Sequence, residues 1–171
     1  MQPVNEKFMQ DELPKAREGL YAIQRTVIFP NMILYRFGSS DKPKNYYSGS
    51  WWIGYSPFES LKKYGVARNQ SLKDSAAQCL AIGTWNKCDV LIKVITILPL
   101  AAWSGTPKVQ AEKIDKKRYT GVRRNPDRDI TQLYIPGLKE VYNNIQMIWE
   151  TALKKASMIM GTQNIYNLAG F

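Results

Sequence analysis

The chain contains no histidine in its 171 residues. That absence removes Ser-His-Asp and Cys-His machinery, histidine zinc ligation and a histidine general base together. Any catalysis falls to Arg, Ser, Tyr, Lys, Gln or a carboxylate. Cysteine is scarce as well: Cys79 and Cys88 lack CxxC spacing and make neither a metal set nor a disulfide framework. Both adjoin apolar segments and read as buried thiols of a reducing compartment. Negative charge is in short supply, with 14 acidic against 24 basic residues and a net charge of +10. That surplus points to an anionic partner or substrate: nucleic acid, an acidic protein surface or a phosphorylated cofactor. The plain alternative is a soluble basic surface. Long hydrophobic runs are missing too. The longest, Val90–Trp103, carries Lys93 and Pro99 and is too short to span a bilayer. The opening MQPVNEKFMQDELPKAREGL lacks the apolar core of a signal peptide. The expectation is a protein cytoplasmic where it is made, or secreted by a route without a cleavable signal.

What is present describes a folded protein. Apolar residues make up 44% and aromatics 12%, enough for a real core in one domain spanning 1–171. Residues 5–25 have helical character on both sides of Pro14. Asn31–Phe37, containing MILYRF, reads as a strand, and the turn-rich 38–47 links it to a second strand, Ser50–Tyr55. Ser56-Pro57-Phe58-Glu59 has the form of a capping box, opening a helix that stops at Gly65. Ser71 opens another. The β-branched run Cys88–Leu98 predicts a central strand, followed by a turn over Pro99–Pro107. Ile130–Ile135 returns as a strand ended by Pro136-Gly137, and Leu138–Ser157 reads as an amphipathic helix. The order of elements favours an α+β domain with mixed or antiparallel sheets flanked by helices.

Three constellations carry chemistry. Arg36 lies inside an apolar strand, where a guanidinium is costly unless it meets an anion. Its ordinary alternative is a strand-edge arginine in water or in a salt bridge. Ser48-Gly49-Ser50-Trp51-Trp52 comes second. The glycine admits a ligand close to the backbone, a serine hydroxyl orients a polar group, and adjacent tryptophans face opposite ways. At most one of them lines a pocket; both together also serve as core. The third is the basic stretch Lys108 to Arg128, with Lys113, Lys116, Lys117, Arg118, Arg123 and Arg124 around Tyr119. It reads as a surface for nucleic acid or an acidic protein, or as a solvated loop.

YRF, then SGSWW, a helix ending LKKYG and a late TQLYIP strand together resemble the bacterial ADP-ribosyltransferase superfamily, in its Arg-Ser-Glu branch. The resemblance covers residues 33–136 and implies an ADP-ribosyltransferase-like fold with NAD as substrate. It implies that Arg36 holds NAD and that Ser50, or Ser48, supports the nicotinamide half. It also implies that Trp52, or Tyr64 on the following helix, stacks on the nicotinamide ring. Gln132 stands where the family places its catalytic glutamate. An amide keeps the hydrogen bond to the ribose but loses the negative charge. An unusual active member, a binding-only or degenerate member and an engineered inactive variant all fit that departure. Glu112, Asp127, Asp129 and Glu140 are nearby in sequence without the expected register, and Gln132 also reads as an ordinary strand residue. No metal is implied. The expected plan is an N-terminal helical segment over 1–30, an NAD-binding core over 31–136, and a C-terminal helix and tail over 138–171. The expected function is NAD-dependent mono-ADP-ribosyl transfer or NAD glycohydrolysis by a bacterial toxin or effector, with an inhibitor protein as a further partner. The alternative is a non-catalytic basic module for nucleic acid or an acidic protein.

Overall fold

The computed structural model describes residues 2–80, 82, 86–108 and 130–138, together with the backbone of three short strands at 112–114, 118–120 and 153–155. The expected helix after Leu138 and most of the basic stretch lie outside the described residues, as do Asp127, Asp129 and Glu140. For the three short strands, Glu112 included, only the backbone is described.

A short 3-10 turn at Glu6–Phe8 leads into α1 (Leu13–Gly19), with Pro14 in its first turn. Pro14 therefore helps to start the helix rather than interrupt it. The helical expectation fails beyond Gly19, where β1 (Leu20–Ile28) begins. Its Thr26, Val27 and Ile28 prefer a pleated backbone, and β5 (Leu100–Pro107) supplies the partner. That partner replaces the turn expected over Pro99–Pro107. Leu100, Ala101 and Ala102 are all buried there. β1 bulges between Tyr21 and Gln24, where Ala22 takes a positive φ of 48°. Gly105 faces this bulge so closely that a Cβ would sit 2.4 Å from the Tyr21 carbonyl oxygen.

The remaining elements are β2 (Ile33–Gly38), β3 (Trp51–Gly54), α2 (Tyr55–Ala67), α3 (Leu72–Cys79), β4 (Val90–Thr96), β6 (Glu112–Ile114), β7 (Arg118–Thr120), β8 (Gln132–Tyr134) and β9 (Leu153–Lys155). Seven strands pair in the order β1-β5-β8-β3-β2-β4-β9, every pair antiparallel, and β6 pairs with β7 apart from them. The described chain is thus a single α+β domain. The β4 run lies next to the end of the sheet rather than at its centre. Its apolar continuity has another cause. Val90, Ile92 and Val94 enter the main core, while Cys88 and Leu91 join a second core with α2 and α3. Lys154 pairs opposite Ile95, so 153–155 is strand rather than the end of the expected helix.

Caps follow local chemistry unevenly. The expected capping box at Ser56 does not form: α2 starts at Tyr55 from Gly54, with no side-chain cap, and runs past Gly65 to Ala67. Ser71 does cap α3, its Oγ accepting from the Asp74 amide at 3.0 Å.

A polar knot joins the end of β2 to the start of β4. Asn86 Nδ2 donates to the Phe37 carbonyl, and Asp89 accepts from the Ser40 amide at 2.8 Å and the Ser40 hydroxyl at 2.7 Å. Burial alone would push the Asp89 carboxyl up. The two Ser40 bonds, its own backbone amide and Lys87 outweigh this and hold it below its ordinary value. A depressed carboxyl stabilises the fold at neutral pH and loses that contribution as pH falls through the folded-state pKa. Asp89→Asn is therefore expected to cost about 1 kcal/mol at pH 7, a figure kept small by solvent screening. The gap to wild type should shrink below about pH 4. Thermal melts at both pH values check this, and an equal loss at each would remove the electrostatic account.

Candidate active site

β2 and β3 pair only at Leu34–Gly54 and Tyr35–Ile53, whereas β2 stays paired with β4 as far as Gly38. Beyond Tyr35 the strands part, and a cleft of about 590 Å³ opens in the gap. Arg36, Phe37 and Gly38 line it from β2, and 48–53 line it from the approach to β3 and from the strand itself. Gln132 and Tyr134 enter from β8, and Glu12, Lys15, Glu18 and Gly19 from α1 and its cap. The N-terminal segment, expected to be helical and to lie outside the NAD-binding 31–136, thus forms one wall of the cleft and one edge of the sheet.

Arg36 shares its face of β2 with Leu34, which is fully buried in the main core. Its Nη1 is buried and has no hydrogen-bond partner. The guanidinium carbon lies 5.9 Å from the Trp52 ring. Burial pushes the Arg36 pKa down to about 10, so the group stays charged at neutral pH. A charged nitrogen buried without a hydrogen-bond partner makes Arg36 the candidate anion contact of the cleft.

Gly49 makes room for it. A Cβ there would lie 1.3 Å from Arg36 Nη1. The glycine admits the protein's own arginine, where the sequence had suggested close approach of a ligand. Its backbone is held in turn, because Trp52 Nε1 donates to the Gly49 carbonyl at 2.7 Å.

The two tryptophans diverge in burial, but both line the cleft, so the expectation that at most one does so fails. Trp52 is 1% exposed and belongs to the main core, where it supports Arg36 and Gly49. Trp51 is half-buried, edge-on to Tyr134 at 4.7 Å, and covers α1 so closely that a Cβ on Gly19 would fall 2.2 Å from its Cη2. Of the sequence candidates, Arg36, Ser48, Ser50, Trp52 and Gln132 all line the cleft. Tyr64 does not. It is buried between α2 and α3 with Arg68 3.9 Å above its ring. The Ser48 hydroxyl donates to the Lys44 carbonyl at 3.4 Å, and the Ser50 carbonyl accepts from the Ile135 amide at 2.8 Å. Gln132 is 7% exposed and pairs opposite Gly105.

Sequence reasoning missed several lining residues. Trp51 was visible only as half of a pair. Lys15 and Lys42 carry no signal beyond general basicity, and Lys108 reads only as the start of the basic stretch. Glu12 and Tyr134 are joined across 122 positions, Tyr134 donating to Glu12 Oε2 at 2.5 Å, while Glu12 Oε1 accepts from the Gly137 amide at 3.0 Å. Among the described residues no group of three or more His, Cys, Asp or Glu could hold a metal ion, and no helix is long and apolar enough to cross a membrane.

No family model and no curated protein matches this chain. Among solved structures, the chain is similar to that of Rhs1-CT in complex with cognate immunity protein RhsI1, at 11% identity and a TM-score of 0.50 over 85% of both chains. It also matches the structure of Tne2 in complex with Tni2, at 13% identity and a TM-score of 0.43, over 84% of this chain and 96% of that one. At such identity the likeness to Rhs1-CT is one of fold, and it extends over most of the sequence.

Proposed function

We propose that this cleft binds NAD and cleaves the bond between nicotinamide and ribose, passing ADP-ribose to a macromolecule or to water. The observation that carries the reading is Arg36 Nη1, buried and unmatched in a cleft of ligand size. A diphosphate supplies the anion that this fork requires. The fold shared with Rhs1-CT, a chain solved with its cognate immunity protein, supports a toxin or effector that an inhibitor protein restrains.

In this reading Arg36 binds the diphosphate, Ser50 orders the nicotinamide half and Gln132 hydrogen-bonds a ribose hydroxyl. The glycosidic C–N bond breaks with its electron pair going to the ring nitrogen, so nicotinamide leaves neutral. The anomeric carbon carries positive charge until an oxygen nucleophile donates a pair and loses its proton. Gln132 offers that cation a dipole rather than a charge. Gln132→Glu is therefore expected to raise nicotinamide release about tenfold or more, and an unchanged rate would argue against this register.

The direct test is incubation of the protein with NAD, alone and with cell lysate or nucleic acid, with free nicotinamide measured. Release in buffer alone identifies a glycohydrolase, and release that needs lysate or nucleic acid identifies a transferase. No release in any mixture defeats the enzyme reading. Oligonucleotide binding that falls steeply with salt would then favour the basic binding module.

A further inference from the structure

The reaction proposed above needs negative charge near the ribose, and the residue at the expected place is an amide. The cleft nevertheless contains carboxylates. Glu12 and Glu18 line it, both from the N-terminal segment, and Glu12 is the buried one at 6% exposure. Its two oxygens accept from Tyr134 and from the Gly137 amide. Tyr134 is two residues from Gln132 on β8, so strand alternation puts both side chains on one face. Leu133 between them packs against the main core on the other.

Resting on the NAD reading, we infer that Glu12 supplies the negative charge that Gln132 lacks, acting on the ribose cation through the hydroxyl of Tyr134. The phenol donates its proton to Glu12, which leaves the oxygen lone pairs richer in electrons and directed away from the carboxylate. No proton has to leave the pair during the reaction. Glu12 is thus a positioning residue, with Tyr134 as the group that meets the substrate. A carboxylate delivered from outside the strands does the electrostatic work of one missing from β8.

A purely structural role predicts something different, because these bonds also tie the start of α1 to the Pro136-Gly137 turn. A mutant cycle separates the two. Gln132→Glu is introduced into wild type and into Glu12→Gln, and kcat and KM for nicotinamide release are measured in all four proteins. If Glu12 supplies charge, Glu12→Gln lowers kcat about tenfold with KM within about twofold. Gln132→Glu then accelerates the Glu12→Gln protein by a factor about tenfold larger than it accelerates wild type, since one carboxylate replaces the other. Equal factors in both backgrounds overturn the inference and make Glu12 a latch. Should Glu12→Gln fail to fold, Tyr134→Phe carries the same cycle. It keeps the ring against Trp51 and removes only the hydroxyl, and equal factors there overturn the inference likewise. Failure of the NAD reading looks different: wild type itself then releases no nicotinamide, and the inference falls with it.

Discussion

Arg36→Met should abolish NAD binding and leave the free protein as stable as before, or more so. Most substitutions of buried residues lose stability, so this combination is diagnostic. Arg36 Nη1 is buried without a partner, and burial already lowers the guanidinium pKa to about 10. The free fold therefore carries a charged nitrogen with no hydrogen-bond partner, which methionine removes while filling much of the same volume. Binding suffers in proportion. Charge-assisted hydrogen bonds contribute about 1.5–3 kcal/mol each. Loss of a two-pronged contact should then weaken affinity at least about a hundredfold. Calorimetry with NAD measures the affinity, and thermal melts with and without NAD measure the linked stabilisation. Wild type should melt higher with NAD, and Arg36→Met should show no shift. Unchanged affinity in the variant would place the ligand elsewhere. A collapse of the free-state melting temperature would mean that Arg36 serves the fold instead.

Gly49→Ala should silence the same site with its arginine intact. The added methyl would fall 1.3 Å from Nη1, far inside contact distance, so the guanidinium must leave its position. The backbone cannot yield easily, because the indole of Trp52 holds the Gly49 carbonyl. NAD affinity should fall about as far as in Arg36→Met. Stability should also drop by about 1–3 kcal/mol from overpacking. The two changes should not add. With methionine at position 36, the alanine should do nothing further to binding and should cost the fold less. Wild-type affinity in Gly49→Ala would show that the guanidinium has another workable place in the cleft, and would sink this account of the glycine.

These two residues were legible in the sequence for partly different reasons than the structure supplies. An arginine in MILYRF stands out because an apolar strand is a costly place for a guanidinium, and the structure leaves its Nη1 buried without a hydrogen-bond partner. Gly49 stood out as a ligand-facing glycine, but its neighbour is Arg36. β4, α3 and its Ser71 cap could be read from local chemistry alone. β1 could not, because Leu20–Arg25 keep a helical spacing until β5 offers edge hydrogen bonds that local sequence does not encode. β5 itself is hidden by its small residues and by two prolines, Pro99 just before it and Pro107 at its last position. Tyr64 was misplaced because a helical tyrosine looks the same whether its face meets a ligand or another helix. Here α3 takes that face. The Glu12–Tyr134 bond was beyond sequence reading altogether, since nothing local to either residue announces the other.

The N-terminal segment is fastened by contacts that close very long loops. Asn5 donates to the carbonyls of Ala101 and Pro136 and accepts from the Ala101 amide, spanning 96 and 131 positions, while Glu12 reaches Tyr134 across 122. Contacts so distant in sequence form late, because the chain entropy they confine is lost before they return any stability. During synthesis, β2 to β4 with α2 and α3 can assemble while Pro136 has yet to emerge. The wall that bears Glu12 can dock only afterwards. A ribosome-bound chain would therefore carry Arg36 on its strand with the pocket still open on one side. Activity should arrive as a final event of folding rather than grow in step with it.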